Sequence, residues 1–369
     1  MAKITAAVLP GDGIGPEVIE CSLPVFDRLG VDIDLKFGDI GWEFWKKEGD
    51  PVPQRTWDLI EKSDVTLLGA ITSKPHAQGL KELDPSLQDQ NLKYVSPVIQ
   101  LRQKLNLFAN VRPAYSLDHQ QSKKFRMTVI RENTEGLYAG LDFSPIPKDL
   151  FDFIQANKNG LNNWQLDGED DGGTAIRLIT KNGLRRLLKF AFEWAKKYNY
   201  QRVTWSDKPN VMRQSGQFAL TILEEVAKDY PEVDWEVQNV DATAMWMVKD
   251  PGHFGVIVSE NQFGDILSDL GAGIMGGLGL APSSNFGYEN AYFEPVHGSA
   301  PKHAGKMKVN PMAQFLTISL LLEHCGYMEE SMRIKTAVNK VLKEGKTLTY
   351  DLGGIASTKE TANAIIQNC

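Results

Sequence analysis

Cysteine is scarce in this 369-residue chain. Cys21, Cys325 and Cys369 form no CxxC pair and no spaced framework, which excludes a disulfide scaffold and fits a reducing cytoplasm. Long apolar runs are missing too: none approaches the roughly 20 residues that span a bilayer. The opening MAKITAAVLPGDG reads as a short strand breaking into a turn, too brief and uncharged for a secretory signal. No basic run or aromatic-rich basic stripe occurs, and the net charge is −7, so nucleic acid is not expected as a partner. No GxxxxGK[ST] loop exists to cradle a transferred phosphoryl group. Internal repeats and low-complexity linkers are likewise absent. The expectation is a cytoplasmic protein with neither a membrane nor a nucleic acid as its business.

What remains is an ordinary globular composition, 42% apolar and 24% charged, on a chain long enough to expect two domains. Strand-like runs (Ile4–Leu9, Val65–Leu68, Met127–Ile130, Val203–Trp205, Gly255–Val258) alternate with helical patterns. Those patterns cover Pro16 to about Leu29, Lys181–Tyr198, Gly216–Asp229 and Pro311–Cys325. The alternation predicts an α/β protein with a largely parallel sheet. The Asn- and Gly-rich stretch Asp142–Gly173 interrupts it and reads as an irregular excursion or a subunit-clasping arm. Gly11-Asp12-Gly13-Ile14-Gly15 follows a strand but lacks the third glycine at dinucleotide-fingerprint spacing, so it reads as a tight turn rather than a Rossmann signature.

Residues 253–311 carry the densest chemistry. An apolar strand, Val256-Ile257-Val258, runs into Asp265 and Asp269, whose i,i+4 spacing puts both carboxylates on one helix face. Two convergent hard oxygen ligands suit Mg²⁺ or Mn²⁺. A glycine-rich turn follows, then His297-Gly298-Ser299, whose small residues let backbone N–H groups approach a nucleotide phosphate.

Several segments, in order along the whole chain, resemble the isocitrate/isopropylmalate dehydrogenases, the β-decarboxylating dehydrogenase family. They are LPGDGIGPEV, LRQKLNLFANVRP, IRENTEGLYAG, KPNVMR, VDATAM, ENQFGDILSD, GGLGLAPSSN, HGSAPKHAGK and YDLGG. The resemblance implies a two-domain α/β fold that is not a Rossmann fold. Residues 1–110 plus 251–369 would form a large cofactor-binding domain, and 111–250 a small domain with the dimer interface and clasp. It also implies a homodimer with shared active sites, so that a monomer is inactive.

Residue by residue, the resemblance places Arg102, Arg112 and Arg131 in a substrate pocket, where guanidinium forks match the carboxylates of a malate-like substrate. Taken singly, each would be a surface salt bridge. Tyr138 and Lys208 match the family's proton carriers, and Asn210 a substrate or nicotinamide contact. Asp241 would join Asp265 and Asp269 as a third metal carboxylate given across the dimer; on its own it reads as a helix cap. In the implied reaction Lys208, reaching in from the partner, helps take the C2 hydroxyl proton. Hydride passes to nicotinamide, CO₂ leaves, and Tyr138 protonates C3.

His297, Gly298, Ser299, Ala300 and Asn310 match the family's adenosine-binding loop. Lys302 stands where NAD-using members carry an acid that would repel a 2′-phosphate. Lys302-His303 and Tyr350 resemble the NADP-using members, whereas Gly354 replaces their second phosphate-binding arginine. The expectation is NADP, with some NAD activity. For the substrate, Ser96 matches isocitrate enzymes, but Val98 occupies their Asn position, and Val98-Ile99 partly imitates the isopropylmalate enzymes. Isocitrate is expected first, with homoisocitrate or an alkylmalate next, and Lys74 as a candidate replacement cation. A reading of another class, a non-catalytic regulatory subunit, conflicts with the presence of Tyr138, Lys208, Asp241, Asp265 and Asp269 together.

Overall fold

The computed structural model describes residues 3–117, 124–158, 160 and 163–369. Twelve strands carry the architecture: β1 (Ile4–Gly11), β2 (Ile33–Phe37), β3 (Val65–Ala70), β4 (Ala109–Tyr115), β5 (Arg126–Glu132), β6 (Asp142–Phe143), β7 (Thr174–Ala175), β8 (Arg202–Asp207), β9 (Asp234–Asn239), β10 (Val256–Ser259), β11 (Pro282–Phe286) and β12 (Ala291–Pro295). Ten of them form one sheet in the order β2-β1-β3-β12-β11-β4-β5-β10-β8-β9, and β6 pairs with β7 separately. This is a mixed α/β fold, and its strand order is not the 3-2-1-4-5-6 of a Rossmann sheet.

The sheet has three parts. β2, β1, β3 and β12 run parallel, as do β5, β10, β8 and β9. Between them β11 and β4 pair antiparallel with each other and with their outer neighbours, so the two parallel blocks point in opposite directions. Every residue of β3 (VTLLGA) is buried, the near-continuous apolar run expected of a strand covered on both faces.

Helices cover the sheet. The helix Lys181–Lys197 begins at Thr180, whose side chain accepts from Gly183 N, and buries Leu184, Leu187, Leu188, Ala191 and Ala195 along one stripe. Fully burying one such leucine contributes about 1.5–3 kcal/mol. The helix Met312–His324 is different: every residue from Met312 through Glu323 is buried. It shares one core with Val8, Leu67, Phe293, Ile334, Val338 and Ile365, enclosed by chain from both ends of the sequence.

One expected helix is broken. Pro16 to Leu29 is two helices, Gly15–Ser22 and Pro24–Leu29, because Pro24 has no N–H to continue the ladder. Within Asp142–Gly173 the described residues contain β6 and a ten-residue helix, Lys148–Asn157, with no buried residue. Residues 159, 161 and 162 of that expected arm lie outside the described residues. Among the described residues no helix is long and apolar enough to cross a membrane, and the three cysteines are free thiols.

Candidate active site

The period-2 alternation of the antiparallel seam sorts its side chains onto two faces. Val111, Phe286 and Phe293 join the apolar cores. The other face is polar: Asn110 Nδ2 donates to Ser283 Oγ at 2.9 Å and to Asn285 Oδ1 at 2.7 Å, and Asn133 Nδ2 donates to Asn285 Oδ1 at 2.8 Å. Asn285 Nδ2 donates in turn to Glu294 Oε1 at 3.1 Å, which also accepts from Tyr292 Oη at 2.7 Å. A buried polar band therefore crosses β12, β11 and β4. Arg112 and Arg131 stand beside it.

Arg102, in the last turn of the helix Pro97–Lys104, reaches this band through Tyr292 Oη at 3.3 Å and Glu294 Oε1 at 3.2 Å. Arg112 lies in the middle of β4, not at an element's end, and donates to Ser268 Oγ at 2.8 Å and Asp269 Oδ1 at 2.9 Å. Arg131, near the end of β5, donates through Nε to Asn261 Oδ1 at 2.9 Å and through Nη1 to Asp265. Tyr138 sits over the Arg131 guanidinium, 5.7 Å from its ring centre, and is 48% exposed. The structure thus brings Arg102, Arg112, Arg131, Tyr138, Asp265 and Asp269 into one place.

The electrostatics of this cluster are lopsided. Burial, then repulsion from Arg102 and Arg112, pushes Arg131 down to about 9. Burial and Arg102 lower Arg112 in the same way. Burial also disfavours the charge on Arg102, but Tyr292 and Glu294 outweigh it and hold the group above its ordinary value. Burial, opposed by Arg112, raises the Asp269 carboxyl, and Asp265 adds to the rise. Three crowded guanidiniums are matched by three carboxylates, Glu294, Asp269 and Asp265. A divalent cation on the two aspartates would therefore leave the site short of negative charge, which a polycarboxylate relieves.

Asp265 and Asp269 project from the helix Asn261–Met275, which Glu260 caps by accepting from Phe263 N. Each pairs with arginine through Oδ1, and among the described residues no hydrogen bond reaches either Oδ2. These are hard, oriented oxygen donors and they fit a divalent cation. They are only two, however: among the described residues no group of three potential ligands forms within one chain. Asp241, in the first turn of the helix Val240–Lys249, pairs instead with Lys208, just after β8. That ion pair lowers the Asp241 carboxyl. Among the described residues no hydrogen bond or ion pair links Lys208, Asn210 or Asp241 to the arginine–aspartate cluster of the same chain.

A cleft of about 240 Å³ lies beside the arginines, lined by Ser73, Ser96, Val98, Ile99, Arg102 and Arg112 among others. Ser96 Oγ bonds Ser73 Oγ at 2.8 Å, and Ile99 is half exposed. Lys74 is occupied: both Glu82 oxygens lie 2.8 Å from its Nζ, which also stands over the Trp42 ring.

Along the same cleft run His297 and Gly298. Gly13 packs on Ser299 so closely that a Cβ there would meet the Ser299 carbonyl oxygen at 2.1 Å, and Ile14 N donates to that oxygen at 2.9 Å. Nothing lies within 4 Å of a Cβ on Gly298, and Ala300 adopts φ +37°. Burial lowers the His297 imidazole, whose Nε2 is enclosed without a partner. The open Gly298 backbone and the unpartnered His297 nitrogen fit a nucleotide cofactor. Asn310 is tied to Asp351 at 3.0 Å and caps Met312 N. His303 stacks on Tyr350, centroids 5.7 Å apart, and Lys308 Nζ stands 5.1 Å from the same ring. At Gly354 a side chain would meet the Leu348 carbonyl at 1.9 Å, so this backbone has no room for the missing arginine.

Sequence reasoning passed over Tyr292, Glu294, Asn110, Asn285 and Lys308. The signal was available for two pairs: Asn110/Arg112 and Tyr292/Glu294 sit two apart in otherwise apolar strands, which puts them on one face.

Residues 5–365 match the family profile described as isocitrate/isopropylmalate dehydrogenase. The protein DlpA of Legionella pneumophila is 55% identical over 366 residues, covering 99% of this chain; the chain spans 58% of that protein's length. The 3-isopropylmalate dehydrogenase of Archaeoglobus fulgidus is 39% identical over 367 residues, 99% of this chain and 98% of that one. The crystal structure of isocitrate dehydrogenase from Methylococcus capsulatus superposes with a TM-score of 0.84 at 34% identity, covering 99% of both chains.

Proposed function

Because the chain belongs to the isocitrate/isopropylmalate dehydrogenase family, we propose that it oxidatively decarboxylates a 3-substituted (R)-malate, with isocitrate to 2-oxoglutarate and NADP as the first pairing. The observation that carries this reading is the crowding of Arg102, Arg112 and Arg131 around two aspartates. A malate-type substrate brings at least two carboxylates, which match these guanidinium forks and would balance the charge of a cation held by the two aspartates.

The site is completed by a second copy of the chain. Asp265 and Asp269 lack a third carboxylate, while Asp241 and Lys208 are paired away from their own cluster. Apolar side chains beside these groups, Met245, Val248 and Ile266, are more than half exposed, as a dimer face requires. Residues 1–110 plus 251–369 and residues 111–250 are the corresponding large and small domains. Asp265, Asp269 and the partner's Asp241 would hold Mg²⁺ or Mn²⁺.

When bound, the cation would supply charge to polarise the C2 oxygen, and a nicotinamide would supply the hydride acceptor. Arg102, Arg112 and Arg131 hold the substrate carboxylates and fix the face it presents. The partner's Lys208 takes the C2 hydroxyl proton, with Asn210 beside it orienting substrate or nicotinamide. After CO₂ leaves, Tyr138 donates its phenolic proton to C3, and the Arg131 guanidinium under its ring stabilises the phenolate that remains. Ser96 meets the substituent on C3.

The adenosine portion would be held by His297, Gly298, Ser299, Ala300 and Asn310. Lys302, His303 and Tyr350 receive a 2′-phosphate, and Lys308 over the Tyr350 ring supplies a second cation in place of the arginine that Gly354 excludes. NAD, lacking that phosphate, is the weaker cofactor.

Initial rates of reduced-nicotinamide formation with isocitrate, Mg²⁺ and NADP test the reading. Rapid turnover is expected. Turnover with homoisocitrate or 3-isopropylmalate instead refutes the isocitrate assignment and makes Val98-Ile99 the selecting surface. Inactivity of the dimer with every malate refutes the catalytic reading.

A further inference from the structure

The segment between β7 and the helix Lys181–Lys197 carries Arg177, whose guanidinium meets several pieces of chain at once. Its Nη2 donates to Asp207 Oδ1 at 2.8 Å. Asp207 is fully buried at the end of β8, immediately before Lys208. Nη1 reaches Met212 Sδ at 3.2 Å and Ser215 Oγ at 3.5 Å, on the far side of the Lys208 turn. Nε stands 4.0 Å from Glu260 Oε2, and the guanidinium carbon lies 5.7 Å from the Phe263 ring centre. Glu260 caps the helix that carries Asp265 and Asp269.

The adjoining backbone closes a third side. Gly136 N donates to Leu178 O at 2.8 Å, Leu178 N returns to Gly136 O at 3.4 Å, and Leu137 N donates to Glu260 Oε2 at 3.5 Å. These bonds fix the loop leading into Tyr138. Among the described residues no other cation forms an ion pair with Asp207 or Glu260. One side chain, 12% exposed, therefore bonds the buried carboxylate that ends the Lys208 strand and stands 4.0 Å from the one that begins the aspartate helix.

We propose that Arg177 is a positioning residue: it locks the Lys208 turn against the Tyr138 loop and the start of the aspartate helix. The proposal rests on the roles given above to Lys208, Tyr138 and Asp265. Because Lys208 works in the partner's site and Tyr138 in its own, Arg177 ties the two sites of the dimer together through one guanidinium. The planar fork matters. A lysine presents a point charge that reaches one carboxylate, and a methionine leaves both buried without a cation.

The test uses the full chain as R177M and R177K beside wild type, assayed with whichever malate wild type turns over. In R177M kcat should fall by about a hundredfold, the loss that an ångström of misplacement brings. The cofactor KM, set mainly at the Ser299 and Tyr350 end, should change far less than kcat. R177K should recover part of the kcat. Amide exchange should quicken at residues 134–140, 208–215 and 260–264 in R177M and stay unchanged in β1 and β3.

A mixed dimer of one R177M and one K208M chain isolates the positioning of Lys208. Its single complete site draws Lys208 from the R177M chain, so low activity is expected there. Activity near half that of a wild-type dimer overturns the proposal, as does an R177M kcat within twofold of wild type or an exchange increase spread evenly over the chain. Should wild type turn over no malate, the catalytic reading fails while the exchange pattern still decides whether Arg177 fixes the Lys208 turn.

Discussion

Replacing Gly13 with alanine should damage the fold and the cofactor site together. Gly13 has φ +56°, a left-handed conformation that costs an L-residue about 1–2 kcal/mol. The new Cβ would also lie 2.1 Å from the Ser299 carbonyl oxygen and 3.1 Å from its Cβ, so the Ser299 loop must retreat. Retreat breaks the 2.9 Å bond from Ile14 N and strains the 2.6 Å bond between Ser299 Oγ and Thr72 Oγ1. Losing one such bond costs about 1 kcal/mol, and more where the amide stays buried. The total is about 2–4 kcal/mol, which lowers the Tm of a 369-residue chain by roughly 3–5 °C. Gly30 is the control: its φ is +70°, but nothing lies within 4 Å of a Cβ there. Gly30→Ala should therefore lose only the conformational part, about 1–2 kcal/mol. Thermal melts of both variants, with the cofactor KM of each, read the difference. Equal destabilisation of the two, or an unchanged cofactor KM in Gly13→Ala, would refute the claim that this turn buttresses the Ser299 loop.

Four further outcomes are expected. Lys208→Met should lower kcat at least about a hundredfold, as loss of a proton carrier does, while leaving Mn²⁺ binding intact, since Asp241 loses only its cationic partner; a near-normal kcat ends that role. Asp265→Asn should raise the Mn²⁺ concentration needed for half-maximal rate by tenfold or more, about 1.4 kcal/mol, and an unchanged requirement removes it from the metal set. Lys302→Asp should shift the NADP/NAD ratio of kcat/KM towards NAD; a ratio that stays put means the 2′-phosphate is held by other groups, Lys308 first. Burial lowers both His297 and His324, with Lys197 adding to the second. The unfolded chain thus takes up protons first as pH falls through about 6.5, so stability is full above that range and declines below it. Urea midpoints at pH 7.5, 6.5 and 5.5 check the sign, and a rise on acidification contradicts it.

Local patterns predicted what local forces decide. The stripe Leu184-Leu187-Leu188-Ala191 gave the helix Lys181–Lys197 within a residue of its end, and Val256–Val258 gave β10. The turn at Gly11–Gly15 was legible as a tight turn, but its reason was not: Gly13 is a glycine because of Ser299, nearly three hundred residues later. The antiparallel seam escaped notice because β11 (PSSNF) and β12 (AYFEP) are short, begin or end in proline, and carry polar residues that read as loop. Those same polar residues become a buried band only once β4 lies beside them. Pairings such as Arg131 with Asp265, or Arg177 with Asp207, depend on which strands neighbour one another, and strand order is not written in any single segment.

The pairing of β3 with β12 also has a history in time. Thr66 lies in register with Tyr292, and the helix Met312–His324 that seals this part of the core comes later still. At about 5–20 residues per second, synthesis leaves β3 without its neighbour for roughly 10–45 s. During that interval VTLLGA, buried at every position in the finished protein, presents an open apolar edge at the ribosome. The middle of the chain waits too, though for less: β5 precedes its neighbour β10 by about 125 residues, roughly 6–25 s at that rate. The nascent protein should therefore depend on a holding chaperone for its first seventy residues more than for any later stretch.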